Sequence, residues 1–192
     1  MIHDLSKEAS EFGLKMHMGK TVVLTNRAQG CPASVKCGGV PVKVAGAEDS
    51  ERYLGRKLSI TEFHETEFTN RLASAWSAFF KFKVCLCCRK VPLNYRMKLF
   101  ECCVTPCALY SCGTWALTAD MERKLRSTRR KMIRWIVCVP RRVDEDWVTY
   151  IQRATRKSDE LAEKCSITDW IVLYRQRKWR LAEKAANHTD NR

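Results

Sequence analysis

Near Ser59 the spacing of apolar residues changes from two to 3.6, and that change divides the chain into a strand-bearing front and a helical remainder. Ahead of it, Leu14, Met16 and Met18 alternate with Lys15 and His17, the period of a half-buried strand. Val22-Val23-Leu24 predicts a second strand. Ser34 to Cys37, then Gly38-Gly39, then Val40 to Val44 predicts a hairpin, because paired glycines supply the positive φ angles of a two-residue turn. Pro41 has no N–H to give a ladder and is expected to hold its strand at a sheet edge. Arg52 to Leu58 is a last strand candidate. A short helix should precede all of these, capped by Asp4, with Leu5, Ala9 and Phe12 on one face and Gly13 at its end.

Beyond residues 59–61 the pattern is helical throughout. Phe68, Leu72, Ala75, Phe79 and Phe82 share a face, with Asn70, Ser74, Ser77 and Lys81 opposite. Pro92 suits the start of a second helix with face Leu93, Met97, Phe100, Val104 and Cys107, which Pro106 should kink or end. A third runs from Thr118, its expected N-cap, to about Cys138, with Asp120 and Glu122 in the first turn, where negative charge is favoured. Two further amphipathic stretches carry Trp147, Ile151, Ala154 and Leu161, and Trp170, Leu173, Tyr174 and Leu181. Residues 187–192 read as a tail. The expected class is α+β, a small antiparallel sheet followed by helices.

The third helix carries the sharpest functional signal. At 100° per residue Met121, Leu125, Met132 and Ile136 gather on one side, and Arg123, Arg130 and Arg134 on the other, flanked by Arg126 and Lys131. Like charges so close repel by a few tenths of a kcal/mol per pair, roughly. A polyanion lying along the row removes that cost, and nucleic-acid phosphates are such a partner. Arg141 and Arg142 would extend the row. A solvated charged face, an anionic membrane surface and calmodulin are the competing readings of such a helix. The whole chain points the same way, with 35 Lys+Arg against 21 Asp+Glu and a net charge of +14.

Other classes find less support. No run of eighteen apolar residues exists, so no membrane helix is expected, and Met1 to Lys7 lacks the apolar core of a signal peptide. The 11 cysteines therefore read as thiols of a reducing compartment, nucleus or cytoplasm. Gly19-Lys20-Thr21 mimics the end of a P-loop, but Leu14 stands where its first glycine belongs. Cys85 and Cys88 make a C-x-x-C, and with Cys103 and Cys107 could form a zinc site, although Cys103 and Cys107 are spaced as on a helix. A zinc-stabilised interaction module is accordingly an alternative. His17 and His64 lack ligand-spaced partners.

Four patterns resemble the C-terminal palm, primer grip and thumb of LINE-type (non-LTR retrotransposon) reverse transcriptases. Gly13-Leu14-Lys15 leading to Lys20-Thr21 resembles the family's motif D. Arg52-Tyr53-Leu54-Gly55 resembles its primer grip. Leu109 to Trp115 resembles the stretch after the thumb, with the glycine displaced to Gly113 and the acid missing. Leu125 to Val139 resembles an arginine-rich helix of the family. The likeness spans roughly residues 5–180. It implies a palm remnant over 1–58, a helical thumb-like region over 59–139, a helical extension over 140–186 and a tail over 187–192.

The resemblance further implies that Lys20 matches a motif D proton donor, that Arg52, Tyr53, Leu54 and Gly55 grip a primer, and that Arg123, Arg126, Arg130, Lys131 and Arg134 contact an RNA–DNA or RNA template–primer duplex. The parent family is an RNA-directed DNA polymerase using Mg2+. Its paired aspartates would precede Met1, and no Asp-Asp occurs in this chain. Two-metal chemistry needs several converging carboxylates. The expectation is therefore a fragment without catalysis, without a cofactor of its own and retaining nucleic-acid binding. A decayed reading frame is the third alternative.

Overall fold

The computed structural model describes residues 2–27, 30, 32–37 and 39–187. The protein is an α+β chain and falls into two compact units, residues up to Glu67 and residues from Phe68 onward.

The first unit opens with α1 (Ile2–Glu11), which ends at Gly13 with φ +72°. Asp4 lies in its first turn, and Leu5 and Phe12 are exposed. The alternation of Leu14, Met16 and Met18 does not make a strand: residues 14–17 are irregular and Met18–Lys20 is a 3-10 turn. A period of two makes a strand only where a ladder forms, and among the described residues, 14–18 pair with no strand.

β1 (Val22–Leu24), β2 (Ser34–Cys37) and β3 (Val40–Ala45) form one sheet in the order β1-β3-β2. β2 and β3 are antiparallel from Ser34↔Lys43 to Cys37↔Val40, as the hairpin reading required. Gly39 has φ +84°, while Gly38 lies outside the described residues. β1 joins β3 in parallel, so the sheet is mixed rather than antiparallel. β3 is central, contrary to the edge position expected from Pro41. The register explains why: β1 pairs only with Lys43, Val44 and Ala45, so at Pro41 the strand has β2 on one side and no ladder on the other.

Arg52 to Leu58 is not one strand but a second hairpin, β4 (Glu51–Tyr53) and β5 (Arg56–Leu58), with Arg52 opposite Lys57. Leu54 at φ +49° and Gly55 at φ +78° form its turn, the double positive φ of a type I′ connection. Lys43 pairs with Glu51 between the two hairpins, and Thr61 Oγ1 donates to the Ala47 carbonyl at 3.2 Å.

The second unit is helical. α2 (Phe63–Lys81) leads through the short α3 (Lys83–Leu86) to α4 (Leu93–Cys103), with Pro92 at the cap of α4. Pro106 does not kink α4; it sits in the first turn of a separate α5 (Thr105–Ala108), where a missing N–H is harmless. A 3-10 turn (Cys112–Thr114) follows, and a Cβ on Gly113 would stand 2.8 Å from the Leu181 side chain. Next come α6 (Ala119–Val137), α7 (Trp147–Lys164) and α8 (Trp170–Ala186). Each has an oxygen cap: Thr118 accepts from Met121 N, Asp146 from Val148 and Thr149 N, Asp169 from Ile171 N.

The core gathers Phe68, Phe79, Phe100, Leu125, Ile133 and Ile136 around the buried indoles Trp115 and Trp170. Trp170 stacks on Phe100 at 5.8 Å and donates to Thr105 Oγ1 at 2.9 Å; Tyr174 donates to the Trp115 carbonyl at 2.8 Å. These bonds let large, partly polar rings be buried without orphaned donors. Two buried arginines do comparable work. Arg96 on α4 donates to the carbonyls of Val91 (3.0 Å), Leu86 (3.4 Å) and Ile136, closing the C-terminal ends of α3 and α6. Arg129 on α6 donates to the carbonyls of Ile167 (3.3 Å) and Thr168 (3.4 Å) and pairs with Asp169 at 3.5 Å.

Candidate nucleic-acid interface

The hydrophobic face of α6 is buried as its spacing demands, with Met121, Leu125, Met132, Ile133 and Ile136 inward. That orientation turns the basic face outward, against α7. Arg123, Arg126, Arg130 and Arg134 line a single shallow groove of about 300 Å³ with Ser127 and Thr155. Arg130 and Thr155 also line an adjoining hollow of about 560 Å³, to which Arg156 of α7 contributes.

Carboxylates temper the row. Asp120 pairs with Arg123, Glu122 with Arg126 at 2.7 Å and with Arg175 at 3.4 Å, and Asp159 with Arg130 at 3.3 Å. Arg134 instead donates to Thr155 Oγ1 at 2.9 Å. Asp159 comes from α7 and could not be assigned to the row from the sequence of α6. Surface pairs of this kind are worth about 0–1 kcal/mol each, so these guanidinium groups can exchange a carboxylate for a phosphate at small cost. The arrangement can bind a row of anions.

Arg141 and Arg142 do not continue the row. α6 stops at Val137, Cys138 turns left-handed at φ +54°, and the Arg141 guanidinium donates to the Glu145 carbonyl at 2.6 and 2.8 Å. Glu145 itself receives both arms of Arg153 at 2.6 Å. That bidentate bond, helped by the Arg142 backbone N–H, holds its carboxyl down to about 2.

Lys131 stands round the helix from the groove, with its Nζ 5.6 Å from the Trp76 ring and 5.9 Å from Trp135. Arg52, Tyr53, Leu54 and Gly55 are exposed at the tip of the β4–β5 hairpin in the first unit. Lys20 is exposed at the end of the 3-10 turn before β1. Cys85 and Cys88 flank the end of α3, Cys103 ends α4 and Cys107 lies on α5, where its thiol donates to the Cys103 carbonyl at 3.3 Å. Among the described residues no group of three or more His, Cys, Asp or Glu side chains could hold a metal ion. The four cysteines are thus not gathered into one ligand set.

The sequence reading missed Thr155 and Arg156. For Arg156 the available signal was its spacing from Arg153 and ahead of Lys157, three cations on one helical face, whereas Thr155 falls on another face and left none. It also missed Arg129 as a structural rather than a surface cation, although on the wheel it falls near Leu125 and Met132, within the apolar face.

No helix among the described residues is long and apolar enough to cross a membrane. No protein-family model matches the chain, and no solved structure does. The whole chain is similar, at 26% identity over 199 aligned residues, to a curated transposon-derived protein of Caenorhabditis elegans, and it spans 66% of that protein's length. The similarity supports an origin in a transposable element.

Proposed function

We propose that this chain is a fragment of a retrotransposon-encoded reverse transcriptase of the LINE type, non-catalytic by itself, which holds a template–primer duplex through the α6 groove. One observation carries the reading: Arg123, Arg126, Arg130 and Arg134 line one groove, three of them held only by exposed ion pairs. Phosphates along a duplex backbone recur in a row, and guanidinium groups take them bidentately. The transposon-derived relative supports an origin in a transposable element, and the order of the four motifs is what favours the LINE type within that class. The turn Leu54-Gly55 puts Tyr53 and Leu54 at a hairpin tip, a shape suited to pressing on a strand end.

Such contacts give affinity and register without sequence choice. Binding of the full chain to an RNA–DNA hybrid should therefore be salt-sensitive and sequence-tolerant. Each phosphate contact adds about 0.9 to the slope of log affinity against log salt. Replacing all four arginines with glutamine should reduce that slope by roughly 3.6. A slope that survives the replacement removes the groove from the function.

A further inference from the structure

We propose that the aromatic cluster between α2 and α6 is a second binding site, one that stacks unpaired bases of a single-stranded nucleic acid. Phe79 is fully buried and forms the floor; Trp76, Phe80 and Trp135 stand on it. Their centroids lie 5.6 Å (Trp76–Phe80), 5.7 Å (Trp76–Trp135) and 6.0 Å (Phe80–Trp135) apart. The outer rings stay partly open to solvent: Phe80 is 52% exposed and Trp135 37%. A scattered exposed aromatic needs no explanation. Rings that are pre-packed on a rigid base yet open to solvent are a different object, because they offer π-faces at little cost in side-chain entropy.

Charge identifies the occupant. Lys83 Nζ lies 5.3 Å from the Trp135 ring and 5.8 Å from Phe80, and Lys131 stands over Trp76 and Trp135. From Phe68 to Phe100 the chain carries seven lysines and arginines and no acid, and from Arg123 to Val143 it again carries no acid. Flat apolar faces between two ammonium groups, in a field with no carboxylate from either helix segment, match a ligand that is flat, apolar and polyanionic at once. A nucleic-acid strand with free bases has those properties, whereas a duplex keeps its π-faces stacked internally. On the helical wheel Lys131 and Trp135 lie about 100° from the arginine row, so this site and the groove use different faces of α6.

The site goes beyond the duplex reading and is tested apart from it. The probe is a twelve-nucleotide single strand, compared with an abasic strand of equal length and charge, binding the full chain as read by fluorescence anisotropy. The base-bearing strand should bind more tightly by on the order of tenfold. The double variant Phe80→Ala, Trp135→Ala should bring the ratio near one. Equal binding of the two strands by the unaltered chain overturns the proposal, and that arm needs no variant to fold. The same ratio is read on the variant with all four groove arginines replaced: persistence supports a separate site, and disappearance overturns it. The duplex salt slope reports on the groove alone. Binding of poly-glutamate that depends on Phe80 and Trp135, with no preference for bases, would assign the patch to acidic protein segments and also overturn the proposal.

Discussion

Arg129 and Arg130 follow one another in the chain and serve different ends. Arg129 is buried, and burial pulls its guanidinium below the usual range while Asp169 opposes the change. It remains charged because it is bonded to two carbonyls and a carboxylate. Arg129→Ala should destabilise the protein by about 3 kcal/mol, since it strands those acceptors and opens a void in the bundle. Arg130→Ala removes an exposed pair and should cost less than about 1 kcal/mol. Denaturant titration of the two variants separates the roles, and equal losses would contradict them. Glu145 gives a pH signature. Its carboxyl falls from 4.5 to about 2 on folding, so the folded state binds that proton less readily. The stability it contributes is complete above 4.5 and is lost as pH falls toward about 2. Melting temperature should drop across that interval, and Glu145→Gln should flatten the drop.

At the scale of elements, the β4–β5 hairpin sets stability against the proposed use. Leu54 occupies a left-handed conformation that costs a branched side chain about 1–2 kcal/mol. Asparagine is at home there. Leu54→Asn should raise the stability of the first unit by about 1 kcal/mol, measured by amide exchange in β4 and β5. If the hairpin tip presses on a strand end, the same change should weaken template–primer binding; unchanged binding would leave the tip without that role. Of the two helix caps expected from the sequence, Thr118 does cap α6, whereas Asp4 falls inside the first turn of α1 and is not its cap. The turn at Leu54-Gly55 was harder to read, since leucine is not a turn former and only Gly55 hinted at a break in what looked like one strand. The parallel partner of β3 was illegible, because pairing between distant segments leaves no periodic trace in either.

Across the whole molecule, the α+β class and the change of regime followed from periodicity, which is a local property of the chain. The arginine row was legible for the same reason, since one helix carries it. What α7 adds to the groove, Thr155, Arg156 and the opposing Asp159, depends on how two helices dock. The aromatic cluster likewise joins α2 to α6, segments more than fifty positions apart. The buried guanidinium of Arg96 bears on both surfaces. It ties the Ile136 carbonyl near the end of α6 to the Leu86 carbonyl at the end of α3, the short helix that follows α2. Neither the cationic channel nor the ring platform can then be displaced alone. Any strand that engages both meets a gauge of set length, so nuclease footprints should keep one size however long the probe.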